Sequence, residues 1–141
     1  YTGDIARAVV IGVATDEHRR MHHALQEAVN EALKLYLPGV PTRQAALRAD
    51  EVLKSYGYDP VPHAHGHGIG LSMHEKPRVS SVEHCRDVFQ VGHVASLEPG
   101  IYIEGYGGMR FEHDVVIRPN GNEILDKKLT TDLLEVNSKI Q

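Results

Sequence analysis

The sequence predicts an α+β fold built in layers. Three observations carry that expectation. An apolar run of strand type opens the chain, two amphipathic helical stretches follow, and the second half breaks into short strand-like runs separated by Gly- and Pro-marked turns.

Residues 5–12, Ile-Ala-Arg-Ala-Val-Val-Ile-Gly, read as a strand ended by Gly12. Thr15 has the side chain of an N-cap, and Asp16 and Glu17 put negative charge in the first turn, where the helix dipole favours it. From Met21 onward, Ala24, Leu25, Ala28, Val29, Ala32, Leu33 and Tyr36 recur at i, i+3, i+4, i+7, so a long helix turns one face to a core until Pro38-Gly39 stops it. A second helix is expected over 42–56, with Ala45, Ala49, Val52, Leu53 and Tyr56 on one face, broken by 57–62.

Residues 63–80 hold Gly66, Gly68 and Gly70 and cannot be one regular element throughout. Short strands are expected at 94–98 and 101–104, split by Pro99-Gly100, with a turn at 105–108. Residues 109–118 alternate and read as a strand, Pro119-Asn120-Gly121 turns the chain, and 122–126 forms a last strand.

Composition bounds the function. The 141 residues suffice for one hydrophobic core, and 41% apolar with 24% charged residues is a globular composition, not a disordered one. A net charge of -4 gives no general attraction to nucleic acid. No apolar run approaches the ~20 residues of a membrane span, and the opening residues do not read as a secretory leader. A lone cysteine, Cys85, excludes an internal disulfide, so a reducing, cytoplasmic compartment is expected. The chain begins at Tyr1 without an initiator methionine, which suggests the inside of something longer.

Four side chains fall at the edges of these elements: Asp4 opening a strand, His67 in a Gly-rich turn, Glu98 at a strand end beside the core, and Glu112 in mid-strand. Taken singly, a strand glutamate is an ordinary solvated residue, and a His-x-His-x-His run an ordinary polar loop. Together, three carboxylates and one imidazole make an oxygen-rich set. Burying it would be costly unless the carboxylates were paired or bound to a cation, and it suits Mn²⁺, Fe²⁺, Co²⁺ or Zn²⁺ better than a thiolate site does.

Longer strings strengthen that reading. His-Ala-His-Gly-His-Gly-Ile-Gly-Leu-Ser-Met-His-Glu (63–75) resembles the His-rich signature of the pita-bread metallopeptidases, the M24 family of methionine aminopeptidase, aminopeptidase P and prolidase. Leu-Glu-Pro-Gly-Ile-Tyr-Ile (97–103) resembles its second signature and Gly-Gly-Met-Arg-Phe-Glu-His-Asp-Val-Val-Ile (107–117) its third. Tyr-Thr-Gly-Asp-Ile-Ala-Arg (1–7) resembles the end of its first metal motif.

The resemblance implies the pita-bread (creatinase/aminopeptidase) fold: a curved antiparallel sheet with helices on its outer face, here incomplete at the N-terminus. It implies two divalent metal ions, manganese foremost, with cobalt, zinc or iron as alternatives. By position, Asp4 matches a bridging ligand, His67 the single histidine ligand, Glu98 a ligand that also serves as general base, and Glu112 the bridging glutamate. His63 and His74 match residues that face substrate or the tetrahedral intermediate, and Arg110 a position that supports the site. His65 matches no family role and reads as a loop histidine, as do His18, His22, His23, His84 and His93. The implied chemistry is attack by a metal-bridged hydroxide, with Glu98 passing the proton to the leaving amine and His74 donating to the carbonyl oxygen.

The chain departs from the pattern in two ways. A further metal-binding aspartate of the family would fall before Tyr1, so one cation keeps Asp4, His67, Glu98 and Glu112 while the other keeps only Asp4 and Glu112 and is held weakly. Residues 1–141 are accordingly expected to be the C-terminal part of a catalytic domain, with an unpaired sheet edge and exposed core. Glu112-His113, moreover, resembles the methionine aminopeptidases, where the Xaa-Pro branch has a second acidic residue. The expected activity is that of a metal-dependent exopeptidase acting on short peptides, most of all at Xaa-Pro bonds. The alternatives are a methionine aminopeptidase-like enzyme, or a creatinase-like hydrolase or lyase on the same scaffold. A metal-free binding module would typically lose the ligands, which this chain keeps. Expected partners are a short peptide and, as in many relatives, a second copy of the chain, with neither nucleic acid nor membrane.

Overall fold

The structure, a computed structural model, describes residues 1–136. Strand β1 (Val9–Ile11) is followed by helices α1 (Asp16–Leu33) and α2 (Thr42–Ser55), then β2 (Gly66–Gly68), β3 (Glu75–Val79), β4 (Val94–Leu97), β5 (Gly100–Ile103), β6 (Gly107–Arg110), β7 (His113–Arg118), β8 (Gly121–Ile124) and β9 (Leu134–Val136). The α+β expectation holds, with five strands in an antiparallel sheet of order β3-β2-β4-β7-β8. Strands β5 and β6 form a separate hairpin, and β1 pairs with β9 in parallel, a contact no local pattern announced.

Helix α1 begins where the sequence places it. The Thr15 hydroxyl accepts from His18 N at 3.2 Å, and His18 Nδ1 accepts from Thr15 N at 3.2 Å, a reciprocal capping box. His18 is therefore a capping residue, not a loop histidine. Helix α2 has no side-chain cap; instead Thr42 N donates to the Asp87 carbonyl at 3.0 Å.

The apolar faces of both helices meet one side of the sheet, Leu25, Val29 and Leu53 packing with Ala95, Leu97, Val115 and Ile117 in a single core. Alternation then fixes what the other side carries. Along β4, Ala95 and Leu97 enter the core while Ser96 points away; along β7, Val115 and Ile117 enter while Asp114 points away. Ser96 lies opposite Asp114 and Leu97 opposite His113, and the register ends there, just before Glu98 and Glu112.

The expected strand over 109–118 is split. Phe111 N bonds the Pro99 carbonyl at 3.3 Å and Glu112 N the Ala6 carbonyl at 3.1 Å, which takes both residues out of regular pairing. Glu112 thus lies at a break between β6 and β7, not in mid-strand. Likewise only Val9–Ile11 of the expected 5–12 strand is regular; Asp4 lies in an irregular segment bonded through Thr2 N to the Gly70 carbonyl at 3.1 Å. Val9, Ile11 and Val13 are exposed, as is much of β9.

Candidate metal centre

His67 occupies the middle of a strand, β2, where a turn was expected. The flanking glycines explain how. A Cβ on Gly66 would lie 2.1 Å from the Ser96 carbonyl oxygen, and one on Gly68 would lie 2.1 Å from that of Lys76. The glycines admit neighbouring backbone on both sides, not a ligand, and their close fit presses His67 against β4. His67 N donates to Ser96 Oγ at 3.1 Å.

The imidazole is oriented by its own chain. His67 Nδ1 lies 3.1 Å from the Gly68 carbonyl oxygen, which can only accept, so Nδ1 carries the proton. In the neutral ring Nε2 is then a lone pair. It faces Glu98 Oε1 at 3.2 Å and Asp4 Oδ2 at 3.4 Å. Two carboxylate oxygens thus converge on one imidazole nitrogen, an arrangement that a proton on Nε2 or a bound cation resolves. A metal-binding histidine characteristically donates its other N–H to a backbone carbonyl in this way.

Glu98 extends β4 by one residue, its N–H donating to the His65 carbonyl at 2.8 Å. Ser96 Oγ donates to Oε1 at 3.2 Å and Arg110 Nη1 lies 3.1 Å from Oε2. Glu112 is 2% exposed, and its Oε1 has no hydrogen-bond partner. Burial first, then the charges of Glu98 and Asp4, push its carboxyl up to about 8 against the pull of Arg110. Asp114, unanticipated at the sequence level, is raised by burial and by Asp126 and Asp4, although the Asp4 N–H bonded to its Oδ2 at 3.1 Å opposes this. Its other oxygen is likewise orphaned. Two orphaned buried oxygens and an imidazole nitrogen turned toward two carboxylates make a donor set that fits a hard divalent cation. Among the described residues, no three His, Cys, Asp or Glu side chains are drawn into a finished cation shell. Asp4 and Glu98 instead reach toward the His67 ring.

Beside these residues, a cleft of about 440 Å³ is lined by His63, His67, His74, Glu98 and Arg110. His63 Nδ1 donates to the Ala64 carbonyl at 2.6 Å, so Nε2 of the neutral ring accepts from the Tyr102 hydroxyl at 2.7 Å. Arg110 Nη2 donates to the same hydroxyl at 3.2 Å. The exposed His74 ring lies 4.1 Å, centroid to centroid, from that of His67.

Residues 1–119 match the metallopeptidase family M24. The chain belongs to that family. It is 38% identical over 128 residues to an Xaa-Pro dipeptidase of Pyrococcus furiosus, covering 90% of this chain and 36% of the relative. An X-Pro aminopeptidase structure from Thermotoga maritima superposes with a TM-score of 0.87 at 38% identity, over 95% of this chain and 38% of that one. An Xaa-Pro dipeptidase from Bacillus anthracis gives 0.88 at 30% identity, over 95% and 37%. The M24 chain therefore spans little more than a third of the length of these relatives, and across that third its fold is the pita-bread fold they share.

Several residues of this M24 chain escape sequence reasoning. Tyr102, between His63 and Arg110, sits in a signature string but gave no sign of its contacts. Asp114 was legible in principle, because a strand puts Glu112 and a residue two positions on at one face. His65 is no loop histidine: it is fully buried, with Nε2 2.8 Å from Asp50 Oδ1. His22 is also buried, its ring edge-on to Phe111.

Proposed function

We propose that residues 1–141 are the metal-bearing, C-terminal part of the catalytic domain of a metal-dependent exopeptidase, which hydrolyses N-terminal bonds of short peptides, above all Xaa-Pro bonds. The observation that carries this reading is the convergence of Asp4 and Glu98 on Nε2 of His67 beside the orphaned carboxylate oxygen of Glu112. The names of the similar proteins, Xaa-Pro dipeptidase and X-Pro aminopeptidase, point the same way.

Asp4, His67, Glu98 and Glu112 would hold the cations, manganese foremost. Bound there, divalent cations supply a water acidified toward neutral pH and a polarised scissile carbonyl. Glu98 accepts the proton of the attacking water and delivers it to the departing amine. Ser96 and Arg110 fix both of its oxygens, so the carboxylate is held in place before substrate arrives. His74, on the open side of the cleft, donates to the carbonyl oxygen as charge develops there. The His63 ring, held by Tyr102 and Ala64, and the Arg110 guanidinium bind the peptide.

His113 does not enter this chemistry: its ring turns away to Asp126, so the Glu-His pair offers the site no second imidazole. Among the described residues, no helix is long and apolar enough to cross a membrane. Buried, unpaired Cys85 accords with a reducing, cytoplasmic setting. A peptide is the expected substrate and a second copy of the chain a candidate partner. The test is proline release from an Xaa-Pro dipeptide by the full-length protein with Mn²⁺; bound Mn²⁺ without proline release would overturn the peptidase reading.

A further inference from the structure

Both segments that carry the bridging pair, Asp4 and Glu112, are tied to one carboxylate that lies outside the site. Asp126 stands two residues past β8, its side chain almost wholly buried. Its Oδ2 accepts from Arg7 Nη2 at 2.5 Å and from His113 Nδ1 at 2.7 Å, and its Oδ1 accepts from Asp114 N at 3.3 Å. Each of these donors leads back to a ligand. Arg7, whose guanidinium lies 4.6 Å over the Phe111 ring, donates to the Glu112 carbonyl through Nη1. Asp114, held at its N–H by Asp126, accepts the N–H of Asp4 at 3.1 Å. The Ala6 carbonyl closes the ring by accepting from Glu112 N at 3.1 Å and from Arg7 Nη1 at 2.9 Å.

We propose that Asp126 is the positioning residue of the metal centre: through Arg7 on one side and Asp114 on the other, it sets the separation of Asp4 and Glu112. The physical reason is repulsion. Asp4, Glu98, Glu112 and Asp114 crowd four carboxyl groups into one site, three of them buried, and in their ionised, cation-binding forms they repel one another and tend to spread. The backbone around residues 4–7 has no regular secondary structure to resist that spreading, so an ionic clamp does so. Oriented outer-shell partners of this kind commonly govern metal affinity about tenfold to a hundredfold.

Position 113 offers an internal rescue. Arg7 Nη2 lies 3.3 Å from His113 Nδ1, so a carboxylate placed at 113 can take over the guanidinium when Asp126 is neutralised. The inference rests on the reading of Asp4 and Glu112 as ligands, and the experiment separates the two. Mn²⁺ binding to the full chain is titrated by the loss of the free-ion electron paramagnetic resonance signal, for the unaltered chain, D126N, and H113D/D126N. Expected is at least tenfold weaker binding in D126N and recovery to within about threefold in the double variant. D126N binding as tightly as the unaltered chain overturns the positioning role, as does a double variant that folds without regaining affinity. If D126N does not fold, the double variant decides alone. No Mn²⁺ binding by the unaltered chain overturns the ligand assignment itself, and this proposal with it.

Discussion

His67 Nε2 and Glu98 Oε1 stand 3.2 Å apart, and the Gly68 carbonyl, 3.1 Å from Nδ1, leaves Nε2 as the nitrogen that faces the carboxylate. A lone pair facing a carboxylate is unfavourable without a positive charge. Glu98→Gln removes the carboxylate charge and the base at nearly constant volume. It is expected to lower kcat about a hundredfold to ten-thousandfold with a smaller change in KM, as measured by steady-state proline release. An equal loss in KM alone would count against a role for Glu98 in proton transfer.

Glu112 gives the metal-free chain a distinctive pH response. Its folded carboxyl is raised from 4.5 to about 8, by burial first and then by Glu98 and Asp4. The unfolded chain ionises first, so metal-free stability should fall as pH rises from about 4.5 to about 8 and level off above. Thermal unfolding in chelator at pH 5.5 and 8.5 measures this. Mn²⁺ should reverse the trend, since a cation favours the ionised carboxylates. A Tm difference between the unaltered chain and Glu112→Gln that does not change between those two pH values would contradict the burial of Glu112 among carboxylates, because the oppositely shifted His22 and His113 are common to both.

The glycines of the His-rich string should respond unequally to alanine. At Gly66 and Gly68 the new methyl meets backbone carbonyl oxygens at 2.1 Å, which cannot yield without parting β2 from β4 or β3. At Gly70 it meets the tip of Glu75 at 2.5 Å, a side chain that can swing aside. Gly66→Ala and Gly68→Ala are therefore expected to cost more than about 3 kcal/mol and to displace His67, and Gly70→Ala less than about 1 kcal/mol. Denaturant unfolding of the three variants checks the order.

His65 and Asp50 pin the start of the same string to α2. Burial tends to raise the Asp50 carboxyl, but its hydrogen bonds from His65 and Ser81 outweigh burial and hold it below 3.8. A lowered folded pKa stabilises above the unfolded value, and that contribution disappears as pH falls through the folded one. Asp50→Ala leaves His65 buried without its partner and should cost about 3–5 kcal/mol near neutral pH. The unaltered chain and the variant should draw together on acidification. A constant difference down to pH 3 would show that packing, not the pair, carries the effect.

What was legible in the sequence was local. The Thr15 cap and the α1 stripe follow from residues within a few positions of one another, and Glu98 at the end of an apolar run follows from one strand. What was not legible depends on distant partners. The strand over 109–118 breaks because Pro99 and Ala6 bond to Phe111 and Glu112. His65 and His113 look alike as loop or site histidines until Asp50 and Asp126 arrive from other elements. The parallel β1–β9 pair joins segments more than a hundred residues apart.

The most direct measurement is the anomalous scattering of Mn²⁺-soaked crystals collected at the manganese absorption edge. The expected result is a peak about 2.0–2.3 Å from His67 Nε2 with oxygens of Asp4, Glu98 and Glu112 around it. A peak elsewhere, such as between His113 and Asp126, or none at His67 at full Mn²⁺ occupancy in solution, would contradict the assignment of these four residues as the metal centre.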